Sequence, residues 1–477
     1  MEHATLLAPS PWMTLPFGLL LGAIALAPLF CPDWWGRHYP KVAVGLGAIT
    51  LGYYLFWLRA HVRVAHGATE YVSFILLIGA LYVVSGGIHI TVQGEATPRA
   101  NCVFLLIGAV IANLLGTTGA SMLLIRPWLR MNAYRVTAHH IVFFIFIVSN
   151  VGGCLTPIGD PPLFLGYLKG IPFWWVAEHC WPMCAVGVGT LLLMFYVVDR
   201  RNYLRAPREV REAIAEPPDR WRFEGLINLV FLAVILGAVF IKRPPFLREA
   251  LMLAAAAASY YTTRPAVHQA NQFDFGPIRE VAILFLGIFA TMMPALDWLE
   301  ANAARFGEPH VGVFFWACGS LSSVLDNAPT YLSFLSACLG SVVDADVVEQ
   351  VRALLAAGGS LSAMADGPNG EAIRHTLDAL QLYYPAALGA GAVSLDQIEI
   401  AFLLGNGSLN SFIVAISVGA VFFGANTYIG NGPNFMVKAI AEQKRVRTPT
   451  FLGYVFRFTL PIMLPMLVLI WLLFFRR

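Results

Sequence analysis

One phrase occurs twice in the chain, Thr156-Pro157-Ile158-Gly159-Asp160-Pro161-Pro162 and Thr427-Tyr428-Ile429-Gly430-Asn431-Gly432-Pro433, and each copy interrupts a stretch otherwise apolar enough to cross a bilayer. The residues that open the helix are Gly153, Pro157, Gly159, Pro161 and Pro162 in the first copy and Gly424, Gly430, Gly432 and Pro433 in the second. Hydrocarbon tolerates freed N–H and C=O groups only where they are buried in protein or face a watery cavity. Two matching breaks therefore point to one shared site, the plan of a transporter.

Hydrophobic residues make up 58% of the 477 and charged residues 12%, about half the charge fraction of an ordinary soluble domain. No water-soluble fold of this size would bury so much apolar surface. Stretches of roughly 17 to 25 residues, enough to span, recur at 14–30, 41–58, 70–90, 139–168, 174–198, 224–241, 247–262, 278–298, 411–442 and 450–475. Two others, 101–129 and 309–342, are too long for one span and are interrupted near their centres, which predicts re-entrant hairpins. The predicted fold is all-α and polytopic, with the bilayer itself as the main partner. The first apolar segment lacks a basic region and a cleavage site, so it reads as a retained span and not a signal peptide. The seven cysteines show no metal spacing, and the pair Cys180 and Cys184, one helical turn apart, reads as packing. Net charge is only +3, and no nucleic-acid partner is expected.

Seven arginines, Arg200, Arg201, Arg205, Arg208, Arg211, Arg220 and Arg222, fall in residues 199–223, and the positive-inside rule puts this linker in the cytoplasm. It divides the chain into a first repeat, 1–198, and a second, 224–477. The connection 343–395 carries mostly acids, Asp344, Asp346, Glu349, Asp366, Glu371 and Asp378, which suits the opposite side. The predicted home is the cell's inner membrane.

Aligning Thr156 with Thr427, an offset of 271 residues, also matches Gly153, Ile158, Gly159 and Pro162 with Gly424, Ile429, Gly430 and Pro433. Upstream, an offset of 210 matches Glu70 with Glu280, Val103-Phe104 with Val313-Phe314, and Leu115-Gly116-Thr117 with Leu325-Asp326-Asn327. The 343–395 insertion accounts for the difference. Each half then reads as three spans, a hairpin, a broken span and a last span. Five true crossings is an odd number, so the second copy must be inverted relative to the first, with the paired breaks meeting near the midplane.

Asp160, in the first break, and Asp326, at the tip of the second hairpin, are the leading site residues. A charge at the bilayer centre costs roughly 2.5 to 3.5 kcal/mol on insertion scales, so acids there face a cavity and carry function by default. Oxygen and amide groups suited to a hard cation surround them in sequence: Thr117, Thr118, Asn150, Thr156, Asn327, Thr330, Asn426, Thr427, Asn431 and Asn434. No Lys or Arg lies in either break. Asp160 and Asp326 together make a Na+ candidate site. The competing reading treats each aspartate as a helix N-cap satisfied by neighbouring amides, and each Thr or Asn as interhelical glue. Glu70 and Glu280 read as dipole partners at the starts of their spans. His139 and His140, beside Arg135, read as interface anchors, with pH sensing as the alternative.

The strings Leu325-Asp326-Asn327-Ala328-Pro329-Thr330 and Gly153-Cys154-Leu155-Thr156-Pro157-Ile158-Gly159-Asp160 resemble the hairpin and broken-helix motifs of NhaD-type Na+/H+ antiporters in the ion transporter superfamily. The segment from Ser149 to Phe173 more closely resembles a bacterial group described either as sodium:proton antiporters or as citrate transporters. That resemblance implies a homodimer, each protomer having a scaffold and a moving transport domain. Carboxylate carriers of the superfamily show Ser-Asn-Thr at tips and breaks. Here those places read Gly116-Thr117-Thr118, Asp326-Asn327-Ala328, Thr156-Pro157-Ile158 and Asn426-Thr427-Tyr428.

The expected activity is Na+/H+ antiport, with Na+ and H+ as coupling ions and no cofactor. Removal from water favours a neutral carboxylic acid over its anion, which lets H+ compete with Na+ for one site. The alternative is symport of citrate or a similar small carboxylate, held by helix N-termini without any Arg. Oxyanion export ranks third. An intramembrane aspartyl protease, an enzymatic reading, is set aside, because its Gly-x-Gly-Asp phrase needs glycine where Pro157 stands.

Overall fold

In the computed structural model, residues 9–93, 96–205, 220–241, 244–302, 310–357 and 369–476 are described. The linker arginines Arg208 and Arg211, and Asp366 of the insertion, lie outside the described residues. Helices in chain order are α1 (Leu15–Phe30), α2 (Pro32–Gly52), α3 (His61–Gly86), α4 (Pro98–Met131), α5 (Ala138–Ile147), α6 (Pro161–Leu168), α7 (Phe173–Arg205), α8 (Asn228–Val239), α9 (Leu247–Thr262), α10 (Pro265–Ala270) and α11 (Gly276–Asn302). The second half continues with α12 (Val311–Ser322), α13 (Asn327–Val342), α14 (Ala345–Ala357), α15 (Gly370–Tyr383), α16 (Pro385–Gly389), α17 (Leu395–Gly405), α18 (Asn410–Phe423) and α19 (Gly432–Gln443). A last helical segment covers Phe451–Phe475. Six segments are long and apolar enough to cross a membrane among the described residues, and the chain is a polytopic, multi-pass membrane protein.

Among the described residues, the all-helical expectation holds apart from one antiparallel ribbon. Strand β1 (His89–Gln93) pairs with β2 (Arg220–Glu224), His89 facing Glu224 and Gln93 facing Arg220. The linker is thus tied at its end to the loop preceding α4. Helix α8, with 12 residues, is shorter than the span expected over 224–241.

Helix α4 is long enough by count to cross once, yet it folds back on itself. Gly116 leaves the helical region at φ 74° and ψ 155°, a conformation that favours glycine. A straight helix would hold Asn101 and Asn132 roughly 46 Å apart at 1.5 Å per residue. Instead their side-chain amides exchange hydrogen bonds of 2.8 and 3.1 Å, and Phe104 stacks on Trp128. The segment is therefore a hairpin with its tip at Gly116. In the second half, α12 and α13 flank a tip at residues 323–326. Helices α5 and α6 flank the first break, and α18 and α19 the second.

The sequence repeat reappears in the bonding. Thr156 Oγ1 donates to the Asn113 carbonyl at 2.7 Å, and Thr427 Oγ1 donates to the Ser323 carbonyl at 2.6 Å. Both partners of the first bond map onto both partners of the second through the two offsets. The same hydroxyls accept from the Gly159 and Gly430 amides at 3.0 and 3.1 Å. Each break also closes on a backbone contact that only glycine allows. A Cβ on Gly159 would lie 2.1 Å from the Gly153 carbonyl oxygen, and one on Gly430 would lie 2.6 Å from that of Gly424. Hairpin arms pack through small residues, as membrane helices do where backbones approach closely. Gly152 sits against Ala109, and Gly319 against the ring of Phe423. These two contacts are equivalent by the repeat, with the glycine on opposite partners.

Charged groups collect at two ends of this core, and both sets correct the sequence reading. His139 and His140 are buried and are not interface anchors. Helix α7 runs on to Arg205 and brings the fully buried Asp199 against them at 3.2 and 3.1 Å, while Arg135 ion-pairs with the same carboxylate. Asn101, at the hairpin base, also donates to Asp199 at 3.0 Å. The cluster offers His and Asp atoms close enough for a metal, but Arg135 already takes both oxygens of the carboxylate. At the opposite end, Glu70 does not begin a span. It lies inside α3, buried, with Lys169 Nζ and His66 Nε2 each at 3.2 Å. Arg63 and the Tyr54 hydroxyl hold Asp297 nearby, at 3.0 and 2.7 Å.

Two expectations follow. Asp199→Asn leaves Arg135 buried without an anion, a loss of about 3 to 5 kcal/mol for a broken buried pair. The melting midpoint of the detergent-solubilised protein should fall sharply, and an unchanged midpoint would show that the pair carries no weight. Gly159→Ala should prevent the first break from closing and lower the yield of folded protein. Gly189→Ala on α7, where a Cβ meets nothing within 4 Å, serves as the control and should behave as the unaltered chain.

Candidate functional site

The N-terminal ends of α6 and α19 meet in the middle of the molecule. Their first flanking residues, Asp160 and Asn431, are equivalent in the repeat and touch each other, Asn431 Nδ2 donating to Asp160 Oδ1 at 3.1 Å. Asp160 is fully buried. It occupies the N-cap position of α6, yet its side chain makes no capping hydrogen bond. The carboxylate turns instead into the space between the halves, where the Thr117 hydroxyl donates to Oδ1 at 2.7 Å and Asn327 Nδ2 donates to Oδ2 at 2.6 Å. Each donor comes from a different element: Thr117 from the first hairpin tip, Asn327 from the second, Asn431 from the second break. No Lys, Arg or His is hydrogen-bonded or ion-paired to this carboxylate among the described residues.

A second layer holds these donors. Asn431 also donates to the Ser149 carbonyl and to Asn150 Oδ1, each at 3.1 Å. Asn150 Nδ2 donates to Asn434 Oδ1 at 2.7 Å and to the Ile145 carbonyl at 2.9 Å. Asn434 in turn donates to the Gly424 and Thr427 carbonyls at 2.8 and 2.9 Å. Three asparagines thus stitch the first break to the second and satisfy carbonyls that the opened helices leave free.

The remaining sequence candidates divide by role. Thr156 and Thr427 bind hairpin backbone, and Asn426 Nδ2 donates to Ser323 Oγ at 2.9 Å. Thr330 donates back to the Asp326 carbonyl at 3.0 Å within its own helix. Thr118 lines a narrow crevice between α3 and the first tip, with Leu77, Leu81, Gly116, Pro157 and Phe164. Asp326 caps α13 by accepting from the Ala328 amide at 3.1 Å and is partly exposed. The capping role weighed for both aspartates is therefore observed at Asp326 and not at Asp160.

Sequence reading missed Asn113 and Ser323, which stand three residues before Gly116 and Asp326 respectively. Asn113 Nδ2 donates to the Gly152 carbonyl at 2.6 Å, and its Oδ1 accepts from the Leu155 amide at 2.9 Å. Their signal was present: the 210-residue offset aligns one polar residue with the other inside apolar helices.

Two oxygens stand out. Asn327 Oδ1 and Asn426 Oδ1 are buried and accept no hydrogen bond. Buried acceptors normally find partners, so Asn327, which touches the Asp160 carboxylate through its amide nitrogen, keeps an unused oxygen ligand at the centre, and Asn426 keeps another in the second break.

The inner membrane protein YbiR of Escherichia coli (strain K12) is 24% identical over 250 residues, covering 51% of this chain and 63% of that relative. The chain thus spans less than two thirds of the length of that curated relative. A family model with the description "Putative citrate transport" matches residues 7–475. The chain belongs to that family of transport proteins.

Proposed function

We propose that the protein is a secondary transporter that exchanges Na+ or a similar small cation for H+ at a single central carboxylate, Asp160. The observation that carries this reading is a fully buried aspartate held by three neutral donors, with no basic partner among the described residues. Three donors favour the ionised form, while burial favours the protonated one. A group balanced between the two can exchange a proton for a cation. Thr117, Asn327 and Asn431 can change role with the ligand. A hydroxyl both donates and accepts, and a half-turn of an amide replaces its NH2 with its oxygen. Donors around a bare carboxylate would then become oxygen ligands around a hard cation.

The second reading is symport of citrate or a related carboxylate, favoured by the family's description and by the two half-helix N-termini at the centre, which attract anions. The place between those N-termini is already taken by the Asp160 carboxylate, however, and a second anion there would meet like charge. Cation exchange therefore ranks first. In this reading the Arg-rich linker side is cytoplasmic, the membrane is the inner one, as the relative's name has it, and two protomers form a homodimer in which hairpins and breaks move against the remaining spans. Na+ and H+ serve as coupling ions.

The test is a pH-gradient assay in proteoliposomes, with Na+, Li+, K+ and citrate added in turn. Na+ or Li+ should dissipate an imposed proton gradient, and Asp160→Asn should abolish the signal. Full exchange in Asp160→Asn refutes the proposal. Asp326→Asn keeps a good N-cap and should retain exchange while weakening apparent cation affinity. Uptake of labelled citrate that is lost in Asp160→Asn, with no cation-dependent proton signal, would establish the second reading instead.

A further inference from the structure

Arg126 lies on the returning arm of α4 and is 7% exposed, as deeply buried as Arg135 at 6%. The two arginines are otherwise opposites. Arg135 donates to both oxygens of Asp199 and to the Ala96 carbonyl. Arg126 donates to none of the described residues, forms no ion pair with them, and its Nε is sealed and unsatisfied. Among the described residues, the ionisable groups close enough to act on it are the Tyr82 phenol and Arg130, with no carboxylate among them. Tyr82 already donates to the Asp274 carbonyl at 2.9 Å. A buried charge without a counter-charge is costly, and a folded chain retains one where something outside the chain supplies the partner.

The position of Arg126 narrows what that partner is. It stands seven residues, two turns, beyond Gly119 and so shares its helix face. Gly119 packs against Ser85 of α3 and lines the crevice beside the first hairpin tip. Arg126 thus sits in the seam between α3 and α4, on the side of the hairpin base and the β ribbon, about 14 Å along the helix from Thr117, whose hydroxyl binds Asp160. A planar guanidinium whose donors are taken by none of the described residues matches the paired oxygens of a carboxylate or phosphate.

We propose that Arg126 is the anchor of an oxyanion-binding site, separate from Asp160, that takes the carboxylate of a small soluble acid or the phosphate of a lipid headgroup. The seam holds the anion at the mouth on the hairpin-base side, away from the like charge of the central aspartate. The site is independent of the coupling role of Asp160 and stands if that role fails.

The experiment measures the melting midpoint of the purified protein with citrate, with inorganic phosphate, and in nanodiscs of phosphatidylcholine with or without phosphatidylglycerol. The unaltered chain and Asp160→Asn should both be stabilised by an oxyanion. Arg126→Met removes the unpaired charge and keeps apolar bulk, so it should fold with an equal or higher midpoint when no oxyanion is present. Its half-saturating oxyanion concentration should rise at least ten-fold, about 1.4 kcal/mol. Stabilisation by citrate or phosphate identifies a soluble ligand, and stabilisation only by phosphatidylglycerol identifies a lipid headgroup. Either result supports the site. No stabilisation of the unaltered chain by any of these, or a shift that persists in Arg126→Met, overturns it.

Discussion

The structure depends on one requirement of hydrocarbon: a helix opened in the membrane must find partners for every backbone group it frees. Each broken helix meets this by leaning on a hairpin tip. Thr156 and Thr427 reach the hairpin carbonyls of Asn113 and Ser323, the Thr117 amide donates to the Gly159 carbonyl at 2.7 Å, and Asn434 satisfies Gly424 and Thr427. The hairpins are therefore the hydrogen-bonding complement of the breaks. Removing any one of the four pieces would strand polar backbone in the others, and this mutual dependence explains why the motif occurs as a matched set.

From that requirement the site follows. Because both breaks must approach both tips, the flanking residues Asp160 and Asn431 are pressed together with Thr117 and Asn327 around them. Small residues permit the approach: the Gly153–Gly159 and Gly424–Gly430 contacts leave no room for a Cβ. Charged networks are held to the two ends, Asp199 with Arg135 at one and Glu70 with Lys169 at the other. Asp160 remains at the crossing point, with Asp326 at the adjoining hairpin tip, one residue before the donor Asn327. The packing that solves the backbone problem also isolates a carboxylate from water.

Much of this was legible in the amino-acid order because the breaks are written in residues with strong local consequences. Gly159 and Pro161 admit few readings inside an apolar run, and the repeat offsets located both tips. Asp160 stood out because acids are rare there. The sequence was less informative where function depends on how far a helix continues. Asp199 read as the first residue of a linker because nothing local shows that α7 extends to Arg205 and returns the carboxylate to His139 and His140. Glu70 read as a span start because the apolar stretch was counted from residue 70, yet α3 begins at His61. The β ribbon has strands of five residues, too short to give a pattern. The difference in fate between Asp160 and Asp326 lies in side-chain direction, which spacing alone does not encode.

The contact between Asp160 and Asn431 has an energetic consequence. These are twin positions of a duplicated unit, and only one of them bears a charge. Two acids so close could not both ionise, and the centre would hold a shared proton tightly. With a neutral amide as its twin, the Asp160–Asn431 pair has just two charge states, minus one when empty and zero when occupied by a proton or a monovalent ion. In the proposed one-for-one exchange, each crossing then carries the same charge in either direction. Such a cycle moves no net charge and takes nothing from the membrane potential, whose contribution is about 2.3 kcal/mol per charge for each 100 mV. The two concentration gradients alone would set the direction of flow.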